Sequence, residues 1–303
     1  MNPQVSVVIP AYNRAHCVEK AIDSVLAQTV DRIEIILVDD GSTDNTRDII
    51  AEKYGDRVRY IFQENQGIPG ARNTGINHSR GEYVAFLDSD DSWRPNKLEK
   101  QLRLFEEHPE YGMVACRCAK IQCAENPKKP DRPLSYQGRR GKSGWILKDL
   151  FAKNFIRTSS VIIRKNCFEK VGLFDETLLQ TQDYDLWLRM AAAYPVGFIN
   201  ESLTVYLDNA RGISTDSLLG RLYRQRALEK AYLKKAVPKK LYRRRMAQAY
   251  NVIGRHYLRR GDRAKGLKYL KQSLRLSPFN LKYTFYFIRG LFARQTASVD
   301  YSF

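Results

Sequence analysis

The chain contains no apolar run approaching the roughly 18 to 20 residues that a membrane-spanning helix needs. Met1 leads through a polar stretch into the short run Val5 to Ile9, without the order of charged, apolar and small residues that marks a secretory leader. A cytoplasmic protein is therefore expected. An even disulfide framework is missing too: the five cysteines are Cys17, Cys116, Cys118, Cys123 and Cys167, and an odd, scattered set points to reduced thiols. Cys116, Cys118 and Cys123 lack the second pair or nearby histidines of a zinc site, so they read as buried thiols. No GxxxxGK[ST] segment occurs, which excludes a phosphate cradle of the P-loop kind.

Acids are scarce in one region only. Residues 217–303 hold 22 Lys and Arg against three acids, Glu229, Asp262 and Asp300, a net of +19, whereas everything before them carries −1. The formal charge of +18 is thus a property of the C-terminal quarter. Base-stacking motifs are missing there, so no nucleic-acid partner is expected. At 303 residues and 43% hydrophobic content the chain can bury a large core. The change of composition near Ser217 divides it into a domain over 1–216 and a basic helical region over 217–303.

The first domain alternates strand and helix patterns. Val5 to Ile9 reads as a strand closed by Pro10, Ala15 to Gln28 as a helix, and Ile33 to Val38 as a strand. The stretch after Asp39 offers Ser42, Thr43 or Asp44 as the cap of a helix running to about Lys53. Val58 to Phe62 and Glu82 to Leu87 are strands separated by a helix from Gly70 to His78. Lys97 to Glu107 is helical, and Tyr111 to Ile121 is a strand. Asn126 to Lys142, rich in Pro, Gly, Lys and Arg, reads as a loop. A strand at Ser159 to Ile163, a helix at Tyr184 to Ala193 and short strands at Val196 to Ile199 and Leu203 to Tyr206 follow. Such alternation implies an α/β doubly wound, mostly parallel sheet, with ligands at the carboxyl ends of its strands.

Four polar clusters fall at those ends: Pro10-Ala-Tyr-Asn13, Asp39-Asp-Gly-Ser-Thr-Asp44, Gly70-Ala-Arg-Asn-Thr-Gly75 and Asp88-Ser-Asp-Asp91. Each alone has an ordinary reading as turn chemistry, but all four converge on one sheet edge. Adjacent carboxylates repel unless a cation offsets them, so Asp88, Asp90 and Asp91 point to a divalent metal. An oxygen-only site with few protein ligands suits Mg²⁺ or Mn²⁺ shared with substrate phosphates. Arg72 can meet phosphate oxygens bidentately. Farther on, Gln182-Asp183-Tyr-Asp-Leu-Trp-Leu-Arg189 offers Asp183 either as a helix cap or as the base that takes a proton from a hydroxyl nucleophile.

The blocks SVVIPAYNRA, ILVDDGSTDNT, NQGIPGARNTG, YVAFLDSDD and VGLFDETLLQTQDYDLWLRMA resemble, in order and spacing, the family-2 glycosyltransferases of the GT-A fold, bacterial cell-surface polysaccharide enzymes among them. The resemblance covers about residues 4–215. It implies an inverting sugar transfer from a nucleotide-diphosphate sugar, commonly a UDP-sugar, to a hydroxyl of a glycan or lipid-linked acceptor. It also implies that Pro10, Ala11, Tyr12, Asn13, Asp39 and Asp40 meet the nucleoside, that Arg72 meets the diphosphate, and that Asp88 and Ser89 contact the donor. Asp90 and Asp88 would hold Mn²⁺ or Mg²⁺, and Asp183 would be the catalytic base. Many relatives carry Glu where Gln182 stands, and Tyr-Arg-x-His where this chain has Tyr206-Leu-Asp-Asn209, so Asn209 replaces a histidine as the third metal contact.

In the C-terminal region Tyr250, Ile253, Gly254, Tyr257, Gly261, Leu270, Leu274 and Pro278 stand near the offsets of one tetratricopeptide-like helix pair, departing from it at Gly266 and Ser273. The cations of residues 230–260 fit an anionic membrane surface, each contributing about 1 kcal/mol near such a surface, which would make the protein peripheral on the cytoplasmic face. An ordinary solvated face is the plain alternative, and a protein partner or oligomer is another. Two rival readings of the first domain, a GT-A adaptor without activity and a sugar-phosphate nucleotidyltransferase, share its layout.

Overall fold

The computed structural model describes residues 2–122, 132–137, 140–207, 218–233 and 237–293. The chain divides into two compact units, Met1–Gly212 and Ile213–Phe303.

In the first unit β1 (Val5–Ala11), α1 (Val18–Leu26), β2 (Ile33–Asp39), α2 (Thr46–Tyr54), β3 (Val58–Phe62), α3 (Gly67–His78) and β4 (Tyr83–Phe86) alternate along the chain. β1 is buried along its whole length, as expected of a central parallel strand covered on both faces. Val5, Val7 and Ile9 meet α1, α2 and the later helix α4 (Lys97–Glu107) on one face. On the other, Ala71 of α3 packs on Ile36 and Val38. A Cβ at Gly75 would come within 2.2 Å of Val8, so only glycine lets α3 settle this closely on the sheet.

The strand runs through Pro10 rather than stopping before it. Leu87 N–H donates to Val8 O, so the even-numbered residues of β1 face β4, and β4 pairing ends at Val8↔Phe86. The N–H that Pro10 lacks therefore falls where no neighbour needs it.

β5 (Ser92–Trp93), β6 (Met113–Gln122), β7 (Arg132–Gln137), α5 (Leu147–Ala152), β8 (Ile162–Arg164), α6 (Cys167–Val171), α7 (Gln182–Ala193) and β9 (Val196–Leu207) complete the unit. Strand order is β3-β2-β1-β4-β8-β6-β9-β5, with β7 paired to β6. β1, β2, β3 and β4 are parallel neighbours, as are β6 and β9. β8 enters antiparallel between β4 and β6. The chain winds outward from β1 to β3 and then crosses back to β4, which puts a topological switch beside β1 at the carboxyl edge. β7 occupies part of the segment read from sequence as a loop. The two short strands expected at 196–206 are one strand, whose register against β6 shifts around Arg117.

The second unit is helical: α8 (Leu218–Leu233), α9 (Lys239–Arg259), α10 (Arg263–Leu276) and α11 (Leu281–Leu291). A Cβ at Gly254 would lie 2.8 Å from the Gly266 carbonyl oxygen, so α9 and α10 cross at backbone contact. Ser273 is buried, its hydroxyl donating to Ala247 O at 2.7 Å. The two positions that depart from the repeat pattern are thus the ones that set this crossing. Among the described residues no helix is long and apolar enough to cross a membrane.

Candidate active site

The β1–α1 and β2–α2 loops are laced together. Asn13 N–H donates to Ser42 Oγ, Thr43 N–H to Asn13 Oδ1, Arg14 N–H to Thr46 Oγ1 and Ala15 N–H to Asp44 Oδ2. Asn13 takes φ 53° to do so, a left-handed conformation that asparagine tolerates better than most residues. Asp44 accepts from Thr46 N–H, at the first residue of α2. Asp39 is buried, accepting from Ser42 N–H and from Tyr60 Oη at 2.6 Å. Burial and that bond together raise the Tyr60 pKa. Asp40, also buried, accepts from Gln63 Nε2 and Gln66 N–H. Both carboxylates therefore shape the loop, while the Tyr12 ring beside them is 48% exposed.

Across the switch, α3 carries Arg72 to the end of β4. Its Nη2 lies 2.5 Å from Asp88 Oδ1, with the arginine side chain 4% and the aspartate 35% exposed. The guanidinium carbon is 5.4 Å from the centre of the Phe174 ring. Nε and Nη1 are buried without a hydrogen-bond partner. A buried guanidinium with two unused donors is an expensive arrangement, and it suits an anion with several acceptor oxygens.

The three acids after β4 diverge. Asp88 pairs with Arg72. Asp91 is buried and accepts from Ser159 Oγ at 2.5 Å. Asp90 is half-buried and lies near enough to Cys17 to help raise that thiol to about 11, burial being the larger cause. Ser89 is buried between them.

The 3-10 turn Thr158–Ser160 joins this loop to the distant Asp183. Asp88 N–H donates to Ser159 Oγ at 3.1 Å, and Thr158 Oγ1 donates to Asp183 Oδ2 at 3.2 Å. Neighbouring residues of one turn thus hold the acids from both ends of the domain. The turn rests on a buried floor. Trp93 Nε1 donates to Ser159 O, Gln101 Nε2 donates to Ser160 O, and Lys97 Nζ donates to Gln101 Oε1 at 2.8 Å. Lys97 is fully buried, its Nζ 3.7 Å from the centre of the Trp93 ring, and burial pushes its pKa down to about 8.

Asn73 makes a second tie, donating to Phe174 O and Glu176 Oε1 while accepting from Phe174 N–H. It anchors the segment that leads to α7. That helix begins at Gln182, two residues before the expected start, after Thr181 at φ 63°. Asp183 therefore sits in the first turn, where its charge is favoured, and its Oδ1 accepts from Tyr184 N–H. Asp185 is buried against Arg189 at 2.9 Å, so it is structural. Among the described residues no group of three or more His, Cys, Asp or Glu is arranged to hold a metal. Asn209 lies outside the described residues. Asp88 and Asp90 suit a hard cation in kind, as carboxylates on one loop, if substrate oxygens complete the coordination.

Sequence reasoning missed Thr158, Ser159, Asn73 and Lys97. Three consecutive hydroxyl residues are a turn signal, but the strand pattern starting at Ser159 masked it.

A family model for glycosyl transferase family 2 matches residues 6–170. The chain belongs to this family. An uncharacterized glycosyltransferase of Rickettsia prowazekii is 35% identical over 242 residues, spanning 77% of this chain and 73% of the relative. Among solved structures, Staphylococcus aureus TarS 1–349 in complex with UDP-GlcNAc superposes with a TM-score of 0.67 over 95% of this chain and 89% of its own, at 15% identity. The mannosyltransferase PcManGT of Pyrobaculum calidifontis, with GDP-Man and Mn²⁺, gives 0.61 over 96% and 80%, at 18% identity. The protein is a glycosyltransferase of the GT-A fold.

Proposed function

We propose that this family-2 enzyme moves a sugar from a nucleoside diphosphate sugar, with UDP as the expected nucleotide, to an acceptor hydroxyl with inversion at the anomeric carbon. The observation that carries this reading is the Thr158–Ser160 turn, which ties Asp183 to the Asp88–Asp91 loop. Asp183 is the base: it takes the acceptor proton as the oxygen attacks the sugar, since an alcohol is a weak nucleophile at neutral pH. Thr158, donating to one carboxylate oxygen, orients the other. Arg72, held at the end of β4 by Asp88, supplies positive charge for the diphosphate, whose own charge grows as its bond to carbon breaks. Pro10, Ala11, Tyr12 and Asn13 seat the nucleoside, with Asp39 and Asp40 bracing that seat and Ser89 lining the donor side. Asp90 and Asp88, with Asn209, would hold Mn²⁺ or Mg²⁺, which supplies positive charge for the departing nucleoside diphosphate. The UDP-GlcNAc and GDP-Man with Mn²⁺ in the two structural neighbours support this donor class.

A glycan or lipid-linked saccharide is the acceptor class, and the basic second unit would hold the enzyme at an anionic, cytoplasmic membrane face. The test is thermal stabilisation by a panel of nucleotide sugars with Mn²⁺. A donor at 100 times its Kd adds about 2.7 kcal/mol, so one nucleotide class should raise the melting temperature by several degrees. No shift from any donor would refute the reading.

A further inference from the structure

α11 presents an apolar ridge to solvent. Leu281, Phe285, Ile288 and Phe292 recur at helical spacing along it, and all four are exposed, Phe292 at 83%. Phe279, just before the helix, is 96% exposed. Gly290, on the opposite side, is buried against Leu258 and Leu267, and Arg255 stacks over Tyr286 at 4.0 Å. The helix is thus docked by one face on α9 and α10, with the large apolar side chains turned away.

Beside the start of this ridge lies a concavity of about 440 Å³, lined by Lys239, Lys240, Arg243 and Arg244 of α9 and by Leu276 and Ser277 at the end of α10. None of the four cations has a carboxylate partner among the described residues. They crowd the first turns of α9, where the helix dipole already repels positive charge, so their position costs stability that an anion would return. Phe279 follows Ser277 by two residues. Cation cluster and apolar ridge therefore share the α10–α11 connection.

We propose that this face inserts into an anionic lipid bilayer: the α9 cations hold lipid phosphates while the α11 ridge enters the boundary of the acyl chains. The occupant must be both apolar and negatively charged. A second copy that paired this same face with its twin fails the charge requirement, because Lys239, Lys240, Arg243 and Arg244 would meet the same four cations and no acid occurs between Asp262 and Asp300 to offset them. An amphipathic helix with Phe, Leu and Ile on one side and Lys282 and Arg289 flanking it has the composition of an interfacial helix. The inference rests on the membrane-facing reading of the second unit and adds a non-electrostatic element to it.

The test uses the full chain with vesicles of phosphatidylcholine alone or with 30% phosphatidylglycerol. Wild type should float with the anionic vesicles and keep a measurable fraction bound in 1 M salt. The quadruple change F279S/F285S/I288S/F292S, confined to exposed side chains, should weaken binding at least tenfold and abolish the salt-resistant fraction, with unchanged circular dichroism and donor-induced thermal shift. Phe285→Trp should be quenched by brominated acyl chains. Full binding by the quadruple variant, or no quenching at Trp in that single variant, would overturn insertion while leaving electrostatic attachment intact. Absence of flotation by wild type would overturn the membrane reading itself. A concentration-dependent dimer in sedimentation, lost in the quadruple variant, would assign the ridge to self-association and refute the proposal.

Discussion

Asp88→Asn tests the arrangement at the end of β4 through stability as well as through chemistry. Arg72 is almost wholly buried and its one ionic partner among the described residues is Asp88, at 2.5 Å. Breaking a fully buried ion pair from one side costs about 3 to 5 kcal/mol. Asp88 is about one-third exposed, so water softens the loss, and about 2 to 3 kcal/mol is expected. For a unit of this size that lowers the melting temperature by about 5 to 10 °C. Trp93, Trp145 and Trp187 all lie in the first unit, so tryptophan fluorescence reports its unfolding without interference from the second. Adding Arg72→Met to Asp88→Asn should recover part of the loss, because the stranded cation is gone. Saturating UDP should narrow the gap between Asp88→Asn and wild type, by giving Arg72 a diphosphate partner. A ligand-free Asp88→Asn protein that melts within 1 or 2 °C of wild type would refute the reasoning.

Two further outcomes follow from the floor of the site. Lys97 has its pKa lowered from 10.5 to about 8 by burial. The unfolded chain therefore binds more protons between those values, so the destabilisation is complete below pH 8 and fades as pH rises through the window. At about 1.4 kcal/mol per pH unit the buried charge costs about 3 kcal/mol at pH 7. Lys97→Met should gain about 1 to 2 kcal/mol there, after losing the bond to Gln101, and urea titrations should show the gain shrinking from pH 7 to 9; a pH-independent difference would refute this. Thr158→Val keeps the shape of the turn and deletes the donor to Asp183. It should leave stability within about 1 kcal/mol of wild type and lower kcat several-fold with KM for the donor unchanged; an unaltered kcat would remove Thr158 from any positioning role.

Much of the fold was legible because single strands with continuous Val and Ile runs, as in β1 and β2, leave little choice of element. The order of βα units likewise determined the parallel half of the sheet. The antiparallel entry of β8 was not legible, since a three-residue strand carries no direction in its pattern. β7 was hidden by Pro133 and by the Pro-, Gly- and Lys-rich sequence around it, and its pairing to β6 is a tertiary effect. At the site, Arg72, Asp88 and Asp183 were visible as polar residues at strand and helix ends. Their connection was not. It depends on Thr158 and Ser159, about 70 residues from one acid and 25 from the other, and on a lysine under the turn that reads in sequence as the exposed start of an amphipathic helix. Gly266 and Ser273 looked like departures from a helical repeat because the pattern expects alanine. The close crossing of α9 and α10 gives both a steric reason.

The central claim is that acids from opposite ends of the first unit serve one nucleotide-sugar pocket. It is tested most directly by turnover of the best-binding donor with Mn²⁺ in wild type, Asp90→Ala and Asp183→Asn. Asp183→Asn should bind donor as wild type does while turnover falls at least a hundredfold, and Asp90→Ala should lose both turnover and the Mn²⁺-dependent part of donor affinity. Equal turnover by all three proteins would contradict the account.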